Sequence, residues 1–227
     1  MSIRLLVSVR SVDEALLAAQ GGADFIDLKE PGQGALGGLP TATIRAIVGA
    51  LRGQGSVLPI SATIGDVAMS ALAEIQARVQ AVGACGVDYV KVGVEREPQA
   101  AAVLDGLDRC GHPVVPVFIA DRGIDFALLD AALGFPAVMA DTADKRSGSL
   151  FDAVPPADLR RFVARARGAG ALVGLAGALR LTHLPALAEL APDFAGFRSA
   201  VCAGDRGSPL EGALLRDLAA RVKGHTG

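Results

Sequence analysis

Residues 21–29, GGADFIDLK, and residues 85–93, CGVDYVKVG, decide the fold of this chain. Each begins with the glycine end of a helical stretch, passes through an aspartate, and enters a short apolar run that is typical of a buried strand. The same alternation of short β-branched runs with longer alanine- and leucine-rich stretches continues on both sides. This pattern indicates repeated βα units around a parallel sheet.

Eight such units fit into the 227 residues, which are 51% apolar. The predicted strands cover residues 3–9, 24–28, 58–63, 88–92, 114–119, 137–140, 172–175 and 194–197. Eight is the number of parallel strands that closes a barrel, and the length is ordinary for one. We therefore predict an α/β fold with one (β/α)₈ TIM-barrel domain over residues 1–227. A doubly wound open sheet is the alternative, although it needs fewer strands.

The composition limits which partners and which cellular compartment we expect for this protein. The net charge of −2 gives no basic surface for nucleic acid, and the longest apolar stretch, residues 170–179, is about half of a membrane crossing. The N-terminus lacks a secretory core, so we expect a cytoplasmic protein. Three cysteines and three scattered histidines indicate free thiols and no metal site. Alanine-rich helices leave room for a homo-oligomer.

Lysine is scarce, and this scarcity is informative. Only Lys29, Lys91, Lys145 and Lys223 occur among 22 basic residues, so arginine has taken most of the ordinary surface roles. Lys29 ends the second predicted strand, Lys91 lies near the end of the fourth, and Lys145 lies in the loop after the sixth. Because reactive groups of (β/α)₈ barrels sit at the carboxyl ends of strands, three of the four lysines are predicted to face one site. Surface lysines of no special role are the simpler alternative.

A buried lysine at such a site can form a Schiff base with an aldehyde or ketone, and Lys29 is our candidate. The reaction needs a neutral amine, whereas a lysine with an ordinary pKa of about 10.4 is almost fully charged at pH 7. Burial and a second cation nearby both favour the neutral form, and Lys91 could be that cation. Asp27 and Asp141 are predicted to share the site, where they could shuttle protons or orient the lysines. For Asp27, a structural ion pair inside the barrel remains an equal alternative.

Phosphate binding is the second expectation. Such barrels often hold phosphate in the loops after strands seven and eight, which here contain Gly177 and Ala178 and then Arg198 and Ser199. Arg198 could add a bidentate contact. Plain turns are the alternative reading of both loops.

A glycine-rich loop follows Lys29. Residues 32–37, GQGALG, match the G-x-G-x-x-G pattern of dinucleotide-binding proteins, but no acidic residue follows through residue 65 to hold a ribose. We therefore expect no nucleotide cofactor and no other cofactor. We interpret the segment as an active-site loop in which Gly34 and Gly37 could cradle a phosphate.

Several stretches together closely resemble the (5-formylfuran-3-yl)methyl phosphate synthase family, also called 4-(hydroxymethyl)-2-furancarboxaldehyde-phosphate synthase. The resemblance runs end to end and is carried by LLVSVRSVDEA, GGADFIDLKEPGQGALG, SATIGD, GVDYVKVG, MADTADKRSGSLFD, GLAGAL and GFRSAVCAGDR. It implies condensation of two glyceraldehyde 3-phosphate molecules into a phosphorylated furan, with one triose isomerising first, in methanofuran biosynthesis.

The resemblance also implies roles for particular residues. Lys29 of D-L-K-E-P is the Schiff-base lysine, Lys91 of D-Y-V-K-V-G transfers protons, and Asp27, Asp141 and Lys145 occupy other active-site positions. Small phosphorylated trioses are then the expected partners. Two alternatives remain open: another Schiff-base aldolase or a triose- or pentose-phosphate isomerase on the same barrel, and a barrel that binds phosphosugars without turnover.

Overall fold

The chain folds into one closed parallel barrel, seen in a computed structural model that describes residues 3–34, 36–144 and 147–224. Each strand pairs with its neighbour in sequence, and β8 pairs with β1 to close the sheet. The strands are β1 (Arg4–Val9), β2 (Phe25–Leu28), β3 (Ile60–Thr63), β4 (Tyr89–Val94), β5 (Val114–Ile119), β6 (Ala137–Asp141), β7 (Leu172–Leu175) and β8 (Phe194–Phe197). The predicted (β/α)₈ barrel is confirmed.

Helices follow the strands and cover the outside of the barrel. They are α1 (Val12–Gln20), α2 (Thr41–Gly53), α3 (Leu72–Gly83), α4 (Ala100–Asp108), α5 (Phe126–Ala131), α6 (Leu150–Ala153), α7 (Pro156–Gly168), α8 (Leu184–Leu190) and α9 (Gly212–Gly224). Single 3₁₀ turns occur at Ala120–Arg122, Leu181–His183 and Ser199–Val201. The larger apolar core lies between strands and helices, and a smaller one fills the barrel interior. None of the helices in the described ranges is long and apolar enough to cross a membrane.

Three aspartates of the βα repeat connect neighbouring strands. Asp24, Asp88 and Asp193 each precede a strand, and each carboxylate accepts a hydrogen bond from a backbone N–H of the strand before it. The donors are Leu5 of β1 at 2.7 Å, Ile60 of β3 at 2.7 Å and Val173 of β7 at 2.9 Å. The aspartates therefore lie just outside the strands, and β2 and β4 begin one residue later than predicted.

Four other strand boundaries differ from the prediction. The first strand begins at Arg4 and not at residue 3, and the other three differ because of backbone hydrogen bonding. The third strand begins at Ile60 and not at residue 58, since Pro59 has no N–H and the Leu58 carbonyl accepts from Arg52. The fourth extends to Val94, where it pairs with β5. The sixth includes Asp141, which pairs with Ile119.

Side chains inside the barrel change from apolar to polar along the strands. Near the amino ends, Phe25 and Phe194 pack with tilted rings whose centroids lie 5.4 Å apart. Further along the strands, Asp27, Ser61 and Lys91 are buried. The barrel interior thus has an apolar layer near the amino ends of the strands. Charged side chains lie beyond this layer, towards the end of the barrel where active sites form.

The apolar layer is filled closely enough that Gly174 of β7 has no room for a side chain. A Cβ atom there would lie 2.1 Å from Cε2 of Phe194. We expect Gly174→Ala to lower the free energy of unfolding by about 1–3 kcal/mol, the usual cost of overpacking. Gly168→Ala is the matched control, because nothing lies within 4 Å of its added Cβ. Denaturant unfolding of both variants checks this; equal stability would contradict the tight packing.

Candidate active site

Two buried lysine–aspartate pairs form the centre of the site. Lys29 Nζ lies 3.3 Å from Asp141 Oδ2, and Lys91 Nζ lies 2.9 Å from Asp27 Oδ1. All four residues are buried and line one pocket at the carboxyl end of the barrel, with about 520 Å³ of empty space including its open mouth. The predicted gathering of Lys29, Lys91, Asp27 and Asp141 is therefore found in the structure.

The two lysines come from different positions on their strands. Lys29 follows the last residue of β2, while Lys91 lies in the middle of β4, deeper in the barrel. Each carboxylate partner comes from another strand: Asp141 ends β6, and Asp27 belongs to β2. Each ammonium therefore lies beside a carboxylate. The sequence had instead suggested that the charge beside Lys29 would be that of Lys91.

Asp27 is held as a carboxylate. Its Oδ1 accepts from Ser61 Oγ at 2.7 Å as well as from Lys91, and its Oδ2 accepts from Ser8 Oγ at 3.0 Å. Burial alone would raise the pKa of Asp27, but the charges of Lys91 and Lys29 and the hydrogen bonds from Lys91 and Ser61 together lower it below its ordinary value. The structural ion pair considered for Asp27 is therefore present, and it fixes the position of Lys91.

Asp141 is oriented by its own backbone neighbour. Its Oδ1 accepts from the Thr142 N–H at 2.8 Å, which leaves Oδ2 directed at Lys29. A carboxylate in this position can accept a proton from the lysine and return it.

The loops after β7 and β8 line the pocket with backbone. Gly177, Ala178 and Ser199 are all pocket residues. Gly177 and Ala178 both have positive φ, 114° and 48°, and an alanine in the left-handed region costs about 1–2 kcal/mol. The backbone N–H groups of these three residues and Ala200 have no hydrogen-bond acceptor among the described residues. Such N–H groups are suited to binding an anion.

Arg198 lines the pocket but has a different role from the expected phosphate contact. Its two Nη atoms bind both oxygens of Glu14, at 2.6 and 3.0 Å, and the carbonyls of Ser8 and Ser208, while Nε donates to the Arg206 carbonyl. All five N–H donors of a guanidinium are thereby used within the protein. The prediction of a bidentate phosphate contact from Arg198 is corrected accordingly: this side chain holds the β8 loop to the base of α1.

Gly34 and Gly37 also lie elsewhere than expected. Neither lines the lysine pocket, and Gly37 instead lines a neighbouring depression. The Gly37 carbonyl accepts from the Glu30 N–H and from Thr63 Oγ1, so this glycine anchors the loop. Gly34, with a φ of 77°, is packed against Asp66. Among the described residues of the loop, Leu36 lines the lysine pocket.

Lys145 and Arg206 differ in how they compare with the sequence prediction. Lys145, predicted at the site, lies outside the described residues. Arg206, which sequence reasoning did not select, lines the pocket. Its only signal was its place in the GFRSAVCAGDR stretch, after β8. Within the described ranges, no three histidine, cysteine, aspartate or glutamate side chains gather as metal ligands, and Cys85, Cys110 and Cys202 are free and buried.

A closed parallel barrel whose mouth holds buried lysines, carboxylates and loops with exposed backbone N–H groups is typical of a (β/α)₈-barrel enzyme. Residues 5–219 match the family model described as 4-HFC-P synthase. The chain belongs to this family of enzymes.

Named relatives cover nearly the whole chain. A (5-formylfuran-3-yl)methyl phosphate synthase of Archaeoglobus fulgidus is 37% identical over 98% of this chain and 100% of the relative. That of Methanocaldococcus jannaschii is 32% identical over 96% and 97%. A Methylorubrum extorquens protein that carries the same name provisionally is 41% identical over 93% and 88%.

Solved structures agree on the fold. 3-Hexulose-6-phosphate synthase from Salmonella typhimurium superposes with a TM-score of 0.68 at 18% identity, covering 98% of this chain and 100% of that one. Phosphoribosyl anthranilate isomerase from Thermus thermophilus gives 0.67 at 21% identity, covering 97% and 98%. At these identities the likeness concerns the barrel alone.

We expect the buried Asp27–Lys91 pair to stabilise the fold in a pH-dependent way. Because the pKa of Asp27 lies below its ordinary 3.8 in the folded protein, the ionised side chain stabilises the fold above that pH, and this contribution is lost as the pH falls through the folded pKa. Asp27→Asn should lower the free energy of unfolding at pH 7 by about 3–5 kcal/mol. It should also lose less stability than the unsubstituted protein between about pH 5 and pH 3.

Denaturant unfolding at several pH values measures both effects. Asp217→Asn is the matched control, since this carboxylate lies in an exposed pair on α9 and its loss should change stability by less than about 1 kcal/mol. An unchanged acid dependence in Asp27→Asn would contradict the assignment.

Proposed function

We propose that this chain condenses two molecules of glyceraldehyde 3-phosphate into (5-formylfuran-3-yl)methyl phosphate through an imine on Lys29, in methanofuran biosynthesis. The observation that carries the proposal is the position of Lys29 Nζ, which is buried in the barrel mouth and lies 3.3 Å from an oriented carboxylate. The names of the relatives support the product.

The atoms of the proposed reaction balance. Two triose phosphates contain the six carbons of the product, and the remainder is one inorganic phosphate and two water molecules. No oxidant or reductant is needed. The enzyme must therefore activate one carbonyl, move protons between carbon and oxygen, and bind two phosphate groups.

Lys29 would begin the reaction as a neutral amine. Its nitrogen lone pair adds to the carbonyl carbon of the first triose, and the carbonyl oxygen, after gaining two protons, leaves as water. Asp141 lies close enough to accept the proton that Lys29 releases and to return protons to that oxygen. The resulting imine withdraws electrons from the adjacent carbon, which can then lose a proton to give an enamine.

Lys91 would transfer protons to and from the carbon skeleton. Asp27 and its two serine partners fix the Lys91 nitrogen in a pocket that Lys91 lines, where this amine would face a bound substrate. The enamine expels the phosphate of this first triose, and the terminal carbon of the resulting enol attacks the ketone of the second triose, which has isomerised to dihydroxyacetone phosphate, to form the new carbon–carbon bond. Ring closure with loss of two water molecules yields the furan, and hydrolysis of the imine frees Lys29.

The alternatives use the same pocket with fewer steps. An aldolase or an isomerase would need the imine or the proton transfers without ring formation, and a binding protein would need neither. Incubation with glyceraldehyde 3-phosphate alone tests the proposal: the furan chromophore supports it, and simple triose interconversion supports an isomerase. No turnover together with no borohydride-trapped adduct on Lys29 supports a binding protein.

Lys29→Arg should abolish furan formation, because arginine keeps the charge but cannot form the imine. Borohydride reduction with glyceraldehyde 3-phosphate, followed by peptide mass spectrometry, should find a triose adduct on Lys29 of the unsubstituted protein and none in Lys29→Arg. Lys223→Arg, on the exposed end of α9, is the matched control and should retain activity and adduct. Substantial furan formation by Lys29→Arg would contradict the proposal.

Lys91→Gln should separate imine formation from proton transfer. The Lys29 adduct should still be trapped, since Lys29 and Asp141 remain paired, whereas furan formation should fall by about 10²–10⁴-fold, the usual contribution of a general acid or base. The two rates are measured on the same preparation, with circular dichroism as the check on folding. Unchanged furan formation would remove Lys91 from the mechanism.

A further inference from the structure

The cations that line the pocket differ in how their charges are balanced. Lys29 and Lys91 each lie beside an aspartate, and Arg198 is paired with Glu14. Arg206 lines the same pocket, yet no carboxylate in the described part of the chain lies within ion-pair distance of its guanidinium. Its charge therefore lacks a close counter-ion, unlike the other three.

The hydrogen-bond donors of Arg206 are also largely unused. Nη2 donates to the Gly34 carbonyl at 3.3 Å, a long contact, and the other N–H groups have no acceptor among residues 3–34, 36–144 and 147–224. A guanidinium carries five N–H donors in a planar fork that fits the oxygens of a phosphate. A half-buried fork with free donors at the mouth of a pocket is suited to an anionic ligand.

The burial of the Arg206 guanidinium also favours an anionic ligand. Burial lowers the pKa of Arg206 and the nearby charge of Arg198 acts the same way, while the carboxylates of Asp141, Asp66 and Glu30 only partly offset these effects. The side chain stays charged at neutral pH, so the cost is borne by the folded protein. An anion bound to the guanidinium would offset that cost.

Arg198 holds the backbone that carries Arg206. Its Nε donates to the Arg206 carbonyl at 2.9 Å, and Nη2 donates to the Ser208 carbonyl at 2.8 Å. Residues 206–208 are thereby fixed against the buried Arg198–Glu14 pair. The Arg206 side chain lines a pocket whose lining also includes Gly177 and Ala178.

We propose that Arg206 binds the phosphate group of the triose that reacts with Lys29, together with the backbone N–H groups of the loops after β7 and β8. Arg198 is a positioning residue for this contact. The identity of the ligand rests on the proposed function, whereas the anion site rests on the geometry alone.

The test compares a phosphorylated with an unphosphorylated aldehyde. In Arg206→Gln, the concentration of glyceraldehyde 3-phosphate that gives half-maximal borohydride trapping on Lys29 should rise about 10- to 100-fold, as expected for losing charge-assisted hydrogen bonds. Trapping of glyceraldehyde, which has no phosphate, should match that of the unsubstituted protein. Arg206→Lys should recover part of the loss, and Arg45→Gln, on the exposed face of α2, should change neither.

Two outcomes would contradict the assignment of Arg206, and a third requires a separate test of its anion binding. Unchanged trapping of glyceraldehyde 3-phosphate by Arg206→Gln would overturn it, and so would an equal loss for both aldehydes, which would indicate a structural role. If the unsubstituted protein traps neither aldehyde, the proposed function fails, and calorimetric titration with inorganic phosphate then tests Arg206 alone. A dissociation constant about 10-fold higher in Arg206→Gln would sustain the anion site, and an equal one would overturn it.

Discussion

The structure depends on keeping four charged side chains buried at the mouth of one barrel. Moving an isolated charge out of water costs several kcal/mol even after the protein relaxes, so each lysine must lie beside a carboxylate. The closed sheet meets this constraint by placing Asp27 and Lys91 on strands two apart, and Lys29 opposite Asp141 of β6. Ser8, Ser61 and the Thr142 N–H donate further hydrogen bonds to these carboxylates. The same arrangement that stabilises these charges also aims one amine into the pocket.

The sequence predicted the barrel because its signals are local. The aspartate of each GADF or GVDY segment both marks a strand start and binds the backbone of the preceding strand, as Asp24 and Asp88 do. The convergence of Lys29, Lys91, Asp27 and Asp141 followed from the rule that strand ends meet at one face. The pairing among them did not follow, because it depends on how the strands are staggered around the barrel.

Contacts between distant parts of the chain were beyond the sequence pattern. Arg198 lies 184 residues from Glu14, and nothing local indicates that this pair consumes the donors expected to bind phosphate. Gly34 and Gly37 matched a phosphate-loop pattern, yet the folded loop turns them towards Asp66 and Thr63 and presents Leu36 to the pocket. Arg206 had no periodic signal of its own, and only the folded loop after β8 brings it to the pocket that the lysines line.

The central claim is that the Lys29 amine forms the covalent bond to the substrate inside this pocket. A crystal structure of the protein reduced with borohydride in the presence of glyceraldehyde 3-phosphate tests it most directly. The account predicts continuous density from Lys29 Nζ to a triose carbon, with Asp141 beside the new bond and the phosphate between the loops after β7 and β8. A triose attached to Lys91, or bound without a covalent bond while Lys29 remains paired with Asp141, would contradict it.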